Sequence, residues 1–121
     1  MWTKQAKSVL FISVQNTLAV KKGNMMPAFF VSRAVVRDAA RMEEYAARAA
    51  ETLKAHGAEP LLRGGFARAL LGKGAPHGSG IVRFPDMERL RAWFDSPEYQ
   101  ALAPLRDAAC GMELFAYEVP A

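Results

Sequence analysis

Arg83-Phe84-Pro85-Asp86-Met87-Glu88-Arg89-Leu90-Arg91-Ala92-Trp93-Phe94-Asp95-Ser96-Pro97-Glu98-Tyr99, running on to Leu105-Arg106, reads as the end of a strand followed by two capped helices. Asp86 stands where a side-chain oxygen accepts the orphan amide hydrogens of a first helical turn, and Leu90, Trp93 and Phe94 then recur at helical spacing. Ser96 repeats the capping role, and Pro97 occupies the first helical position, where its missing amide hydrogen is not needed. The stretch is the signature of a fold and not of a reaction: it holds no nucleophile beside a base, no metal cluster and no phosphate loop.

Upstream, Ala28 to Val36 is rich in β-formers, and Asp38 offers an N-cap for a helix that runs to His56 and is stopped by Gly57. Met42, Tyr45, Ala46, Ala49, Leu53 and His56 share one face of that helix, and Glu44 and Arg48 are spaced for an i,i+4 ion pair. Glu59 to Leu71 is expected to be a long strand with a bulge or bend at Gly64-Gly65. A glycine-rich loop, Gly72 to Gly80, leads to a short third strand, Ile81 to Phe84. Downstream of Tyr99, Pro104 is expected to kink the last helix, and Met112 to Val119 forms the fourth strand. The order β-α-β-β-α-β predicts an α+β, ferredoxin-like domain with its helices on one face of an antiparallel sheet. Two helices cover one face only, yet the first and fourth strands are apolar on both alternating sets. A second copy of the chain, forming a homodimer sheet to sheet, is the expected cover.

The net charge of +4 is unevenly placed. Residues 1–24 carry four lysines and no acid, leaving 12 basic and 12 acidic side chains in the rest of the chain. Those first residues use lysine alone, whereas the remainder has ten arginines against Lys54 and Lys73. Residues 1–24 are therefore expected to be an extension or leader, with an internal start at Met25 or Met26 and the domain proper at 25–121. The run Val9 to Val14 is too short for a secretory or membrane-spanning segment, so no membrane partner is expected. A neutral domain lacks the one-sided field that gathers phosphates, and no nucleic-acid partner is expected either. Cys110 is the single cysteine, which excludes an internal disulfide, makes the cytoplasm the default, and marks a buried small hydrophobe.

Met26-Pro27-Ala28-Phe29-Phe30-Val31, Asp38, Tyr45, His56-Gly57-Ala58, Leu62-Arg63-Gly64-Gly65, Arg83-Phe84-Pro85 and Ala92-Trp93-Phe94-Asp95-Ser96-Pro97-Glu98-Tyr99 with Arg106 resemble the domain-of-unknown-function-1330 family over Met26 to Val119. The family resembles the dimeric α/β-barrel superfamily, which implies two ferredoxin-like protomers packed sheet to sheet and a cavity beside each sheet. The resemblance implies no established reaction; related barrels imply cofactor-independent oxygenase or isomerase chemistry. The chain departs from the family pattern at residues 1–24, at Ala39 and Ala40 after the capping aspartate, and at Gly111.

Five residues are candidate ligand contacts. Arg63, on a strand immediately before two glycines, has a fixed direction and open space for a planar anion, or else makes an outward salt bridge. Tyr45, Trp93 and Tyr99 either line an apolar cavity with their polar tips or belong to the core. Arg106 follows Tyr99 by seven residues, shares its face, and is either a second anion contact or a helix-end charge. His56 is a weak catalytic candidate as a general base, set against a plain C-terminal cap. His77, in the glycine-rich loop, is expected to be solvated. Two histidines and one cysteine at unrelated spacings make no metal pattern, and no cofactor is expected. Gly72 to Gly80 joins two strands and leads into no helix, so it is a hairpin loop at a cavity mouth and not a phosphate loop. These residues favour a homodimer that binds a small anionic or aromatic molecule between sheet and helices; the alternative is a non-catalytic accessory protein whose interior is merely packing.

Overall fold

The computed structural model describes residues 26–120. The extension expected over residues 1–24 lies outside them. The elements follow in the order β1 (Ala28–Val36), α1 (Ala39–Ala55), β2 (Glu59–Gly65), β3 (Gly78–Phe84), α2 (Met87–Asp95), α3 (Pro97–Gln100), α4 (Ala103–Ala109) and β4 (Cys110–Glu118). The strands form one antiparallel sheet in the order β2-β3-β1-β4. This is the ferredoxin-like arrangement expected from the sequence.

The caps act as their chemistry demands. The Asp38 carboxylate accepts from the Arg41 amide at 3.0 Å, and that of Asp86 accepts from the Arg89 amide at 2.8 Å. Ser96 Oγ accepts from the Tyr99 amide at 3.2 Å and donates to the Trp93 carbonyl at 2.7 Å, so one buried hydroxyl ends α2 and begins α3. Gly57 leaves α1 at φ +73°, a conformation that favours glycine. The Glu44–Arg48 pair closes at 2.9 Å.

Four expectations are corrected. The second strand stops at Gly65 instead of continuing to Leu71: β3 begins at Gly78, opposite Gly65, and the pairing ends where the Phe66 amide donates to the His77 carbonyl at 2.9 Å. Leu70 and Leu71 consequently stand 89% and 97% exposed. The bulge falls at Leu61, between Pro60 and Leu62, and Gly64 and Gly65 remain paired. Gly78 to Gly80 belong to β3 and not to the loop. Pro104 kinks no helix: the chain breaks at Ala101-Leu102, and Pro104 opens α4 within its first two positions, where its missing donor is harmless.

Alternation along the strands gives the sheet two unlike faces. Ala28, Phe30 and Ala34 of β1 and Val82 and Phe84 of β3 are buried beneath the helices. Trp93 is the hub of that core, with ring centroids 5.2 Å from Phe30, 5.7 Å from Phe84 and 4.3 Å from Tyr99. Its indole N–H donates to Thr52 Oγ1 at 2.9 Å, tying α2 to α1. On the opposite face the register aligns Leu62, Ile81, Val31 and Phe115 as one apolar row across all four strands. Ion pairs flank the row, Arg83 with Glu59 on one side and Arg33 with Glu113 on the other, each at 3.9 Å. No helix among the described residues covers this face, and Leu62 and Phe115 are 60% and 43% exposed.

Candidate functional site

The inner face of the sheet changes character along its length. Towards Phe84 it carries aromatic side chains, whereas in the other direction Gly78, Gly80, Ser32 and Ala34 lie on the same face of neighbouring strands. Small side chains on α1, Ala46, Ala49 and Ala50, stand across from them. Because neither surface reaches the other, a cavity of about 590 Å³ remains between sheet and α1. That size suits a small organic molecule. The walls are mostly apolar, from Phe30, Met42, Leu53, Val82, Trp93 and Met112, and Ser32, Tyr45, Arg63 and His77 bring polar groups to it.

Arg63 pairs with Gly80, which places it on the inner face at the edge strand. Its side chain makes no ion pair among the described residues, and a Cβ added at the following Gly64 would meet nothing within 4 Å. Tyr45 reaches the opposite side of the cavity, where its hydroxyl is 3.7 Å from Met112 Sδ on β4. Two of the five candidate contacts thus approach the cavity from its two flanks. Trp93 also lines it. Tyr99 is fully buried and does not line it; it stands behind Tyr45, with the two hydroxyl oxygens 2.7 Å apart. Arg106 lies one step farther out, donating through Nη1 to the Tyr99 hydroxyl at 3.3 Å and through Nε to Asp107 at 3.0 Å. Burial, followed by the neighbouring Tyr99, holds the Tyr45 phenol well above its ordinary range, so the group is a neutral donor.

His56 is not brought to the cavity. It lies in a separate cleft with Gly57, Glu88 and Arg89, its Nδ1 2.9 Å from the Thr52 carbonyl. The other histidine is brought to the cavity. His77, expected to be merely solvated, lines the cavity and is pinned to the end of β1: its amide donates to the Ala34 carbonyl at 2.7 Å, and its Nδ1 accepts from the Val36 amide at 2.9 Å. An Nδ1 that accepts leaves the ring hydrogen of the neutral imidazole on Nε2. The sequence signal for this placement was weak: a Pro-His-Gly step that places the histidine immediately before a strand of small residues. Cys110 is buried as expected, and burial, only partly opposed by Arg37 and Arg106, raises its thiol above the usual range.

The domain-of-unknown-function family DUF1330 matches residues 27–119. The chain belongs to this family. No curated protein matches it. Among solved structures, a protein of unknown function from Rhodopseudomonas palustris is similar at 16% identity and a TM-score of 0.69, covering 78% of this chain and 83% of its own. SnoaB, a cofactor-independent oxygenase from Streptomyces nogalater, is similar at 20% identity and a TM-score of 0.56, covering 76% and 91%. A dimeric ferredoxin-like protein of unknown function from Thermobifida fusca has 15% identity and a TM-score of 0.55, covering 78% and 92%. At these identities the likeness is one of fold. No helix among the described residues of this DUF1330 chain is long and apolar enough to cross a membrane.

Proposed function

We propose that the protein is a homodimer whose protomers each bind a small anionic or aromatic molecule in the cavity between sheet and α1. Arg63 and Tyr45 are its polar contacts, Trp93 an apolar wall, and Tyr99 and Arg106 the support behind Tyr45. The observation that carries this reading is the cavity itself: about 590 Å³ kept open by small residues on both the sheet and the helix. A chain selected only for a packed interior gains from filling such a space, since side chains that lack partners forgo their contacts. The open cavity therefore favours ligand binding over an accessory role in which the interior is packing alone.

The dimer reading rests on the uncovered sheet face. Its apolar row, with ion pairs on either side, has the pattern of an interface centre within a polar rim. Cofactor-independent oxygenation or isomerisation is the chemistry we assign to the bound molecule, the oxygenation by analogy of fold with SnoaB. Untargeted mass spectrometry of molecules retained by the natively purified protein tests the binding reading. A retained aromatic or anionic compound, lost from a variant with Ala46→Phe in the cavity, supports it; the same compounds on both proteins would refute it.

A further inference from the structure

The hydroxyl groups behind the cavity have a direction, and it follows from counting hydrogens. Arg106 carries no acceptor, so its 3.3 Å contact uses a lone pair of the Tyr99 oxygen. Tyr99 is fully buried, and the Tyr45 oxygen at 2.7 Å is the acceptor given to its own hydroxyl hydrogen among the described residues. Were Tyr45 to donate to Tyr99 instead, the Tyr99 hydrogen would be stranded in the core, an arrangement buried groups avoid. The chain therefore runs one way, from Arg106 to Tyr99 to Tyr45. The hydrogen of Tyr45 is left pointing on, and its acceptor is the Met112 thioether at 3.7 Å, among the weakest in a protein.

We infer that Tyr45 donates this hydrogen to an oxygen anion of the bound molecule, and that the ligand is an aromatic phenol or enol held as its anion. The inference rests on the cavity being the ligand site. A single donor at this flank suits a single oxygen, whereas a two-pronged arginine, such as Arg63 on the other flank, suits a carboxylate. Mostly apolar walls penalise a localised charge, and a phenolate or enolate spreads its charge into the rings that the walls accommodate. The Arg106 cation, two hydroxyls away, polarises the chain in the sense that strengthens the last donor. The ionisable groups facing Tyr45 are Tyr99, Arg106 and Cys110, while Arg63 and His77 lie elsewhere on the cavity wall. Tyr45 is thus a ligand-contacting residue, and Arg106 a positioning residue that acts through Tyr99.

The test uses 4-nitro-1-naphthol, whose anion absorbs visible light, beside 1-nitronaphthalene, which has the same rings and no hydroxyl. At a pH where free 4-nitro-1-naphthol is mostly neutral, the protein should bind it as the coloured anion, roughly tenfold or more tighter than 1-nitronaphthalene. Tyr45→Phe should abolish that preference and the colour, bringing the two compounds to similar affinity. Arg106→Met should weaken the preference and Arg106→Lys restore part of it, with near-UV circular dichroism reporting that each variant is folded. Equal binding of both compounds by the wild-type protein, or a preference that survives Tyr45→Phe, would overturn the proposal and leave the cavity as a ligand site. A folded Arg106→Met variant with full preference would overturn the one-way chain. Failure of both compounds to bind would overturn the cavity reading and this inference with it.

Discussion

Arg63 and Tyr45 differ in how they are held, and their substitutions should differ accordingly. The Arg63 side chain is exposed and has no ion-pair partner among the described residues, so Arg63→Ala should leave the melting temperature nearly unchanged. Affinity for an anionic aromatic ligand should fall roughly ten- to a hundredfold, the worth of a charge-assisted contact. A large loss of stability, or unchanged affinity measured by calorimetry, would remove it from the site. Tyr45 is buried, and its phenol is pushed up from an ordinary 10.0, chiefly by burial. A pKa raised in the folded state favours the protonated form, so this contribution to stability is complete below pH 10.0 and is lost as pH rises above it. Alkaline titration followed at 295 nm should show Tyr45 ionising only as the protein unfolds, and Tyr45→Phe should reduce the amplitude of that phase. Residue-scale reading of the sequence singled out Arg63 and Tyr45, which the fold brings to the cavity, but not His77. Its role depends on the Val36 amide, 41 positions away, meeting its Nδ1, and no local pattern encodes that meeting.

Element boundaries were legible wherever a local cap sets them and illegible wherever a partner strand does. Asp38, Gly57, Asp86 and Ser96-Pro97 each act within four residues of themselves, and each boundary they mark is found. The end of β2 and the start of β3 depend on each other's register, and Leu70-Leu71 reads as strand only until its missing neighbour is known. Gly78-Ser79-Gly80 is similar: its composition signals a loop, yet in β3 it forms the cavity floor, where small size matters more than strand propensity. Ser96 offers the direct check of capping. Removing its hydroxyl takes away the donor to the Trp93 carbonyl and the acceptor for the Tyr99 amide together, in a buried position. Ser96→Ala should therefore cost about 1 to 2 kcal/mol in a urea titration. A loss below about 0.5 kcal/mol would mean that the aromatic contacts of Trp93, rather than the cap, set the α2–α3 corner.

At the scale of the molecule, the sheet has two unlike faces. One closes on its helices and keeps a cavity, and the other carries the exposed row Leu62, Ile81, Val31 and Phe115, on which we propose that a second copy packs. Val31 sits at the centre of that row, so Val31→Glu would set like charges near one another across a two-fold interface. Light scattering at micromolar concentration should report a dimer for the wild-type chain and a folded monomer for Val31→Glu; a monomer for both would remove the interface. Two apolar faces on one sheet were visible in the sequence, since β1 and β4 are apolar on both alternating sets. The cavity was not, because it results from small residues on β1, β3 and α1 that meet only in the fold.

The claim that this space is a binding site is tested most directly by fluorescence titration with 8-anilinonaphthalene-1-sulfonate, an aromatic anion, on the wild-type protein and Ala46→Phe. Ala46 lines the cavity and is only partly buried, so the larger ring enters the space with little disturbance of the core. Saturable binding of one molecule per protomer, weakened at least about tenfold by Ala46→Phe in a protein of unchanged melting temperature, is the predicted result. Equal binding to both proteins would place the dye on the outer face and contradict the account.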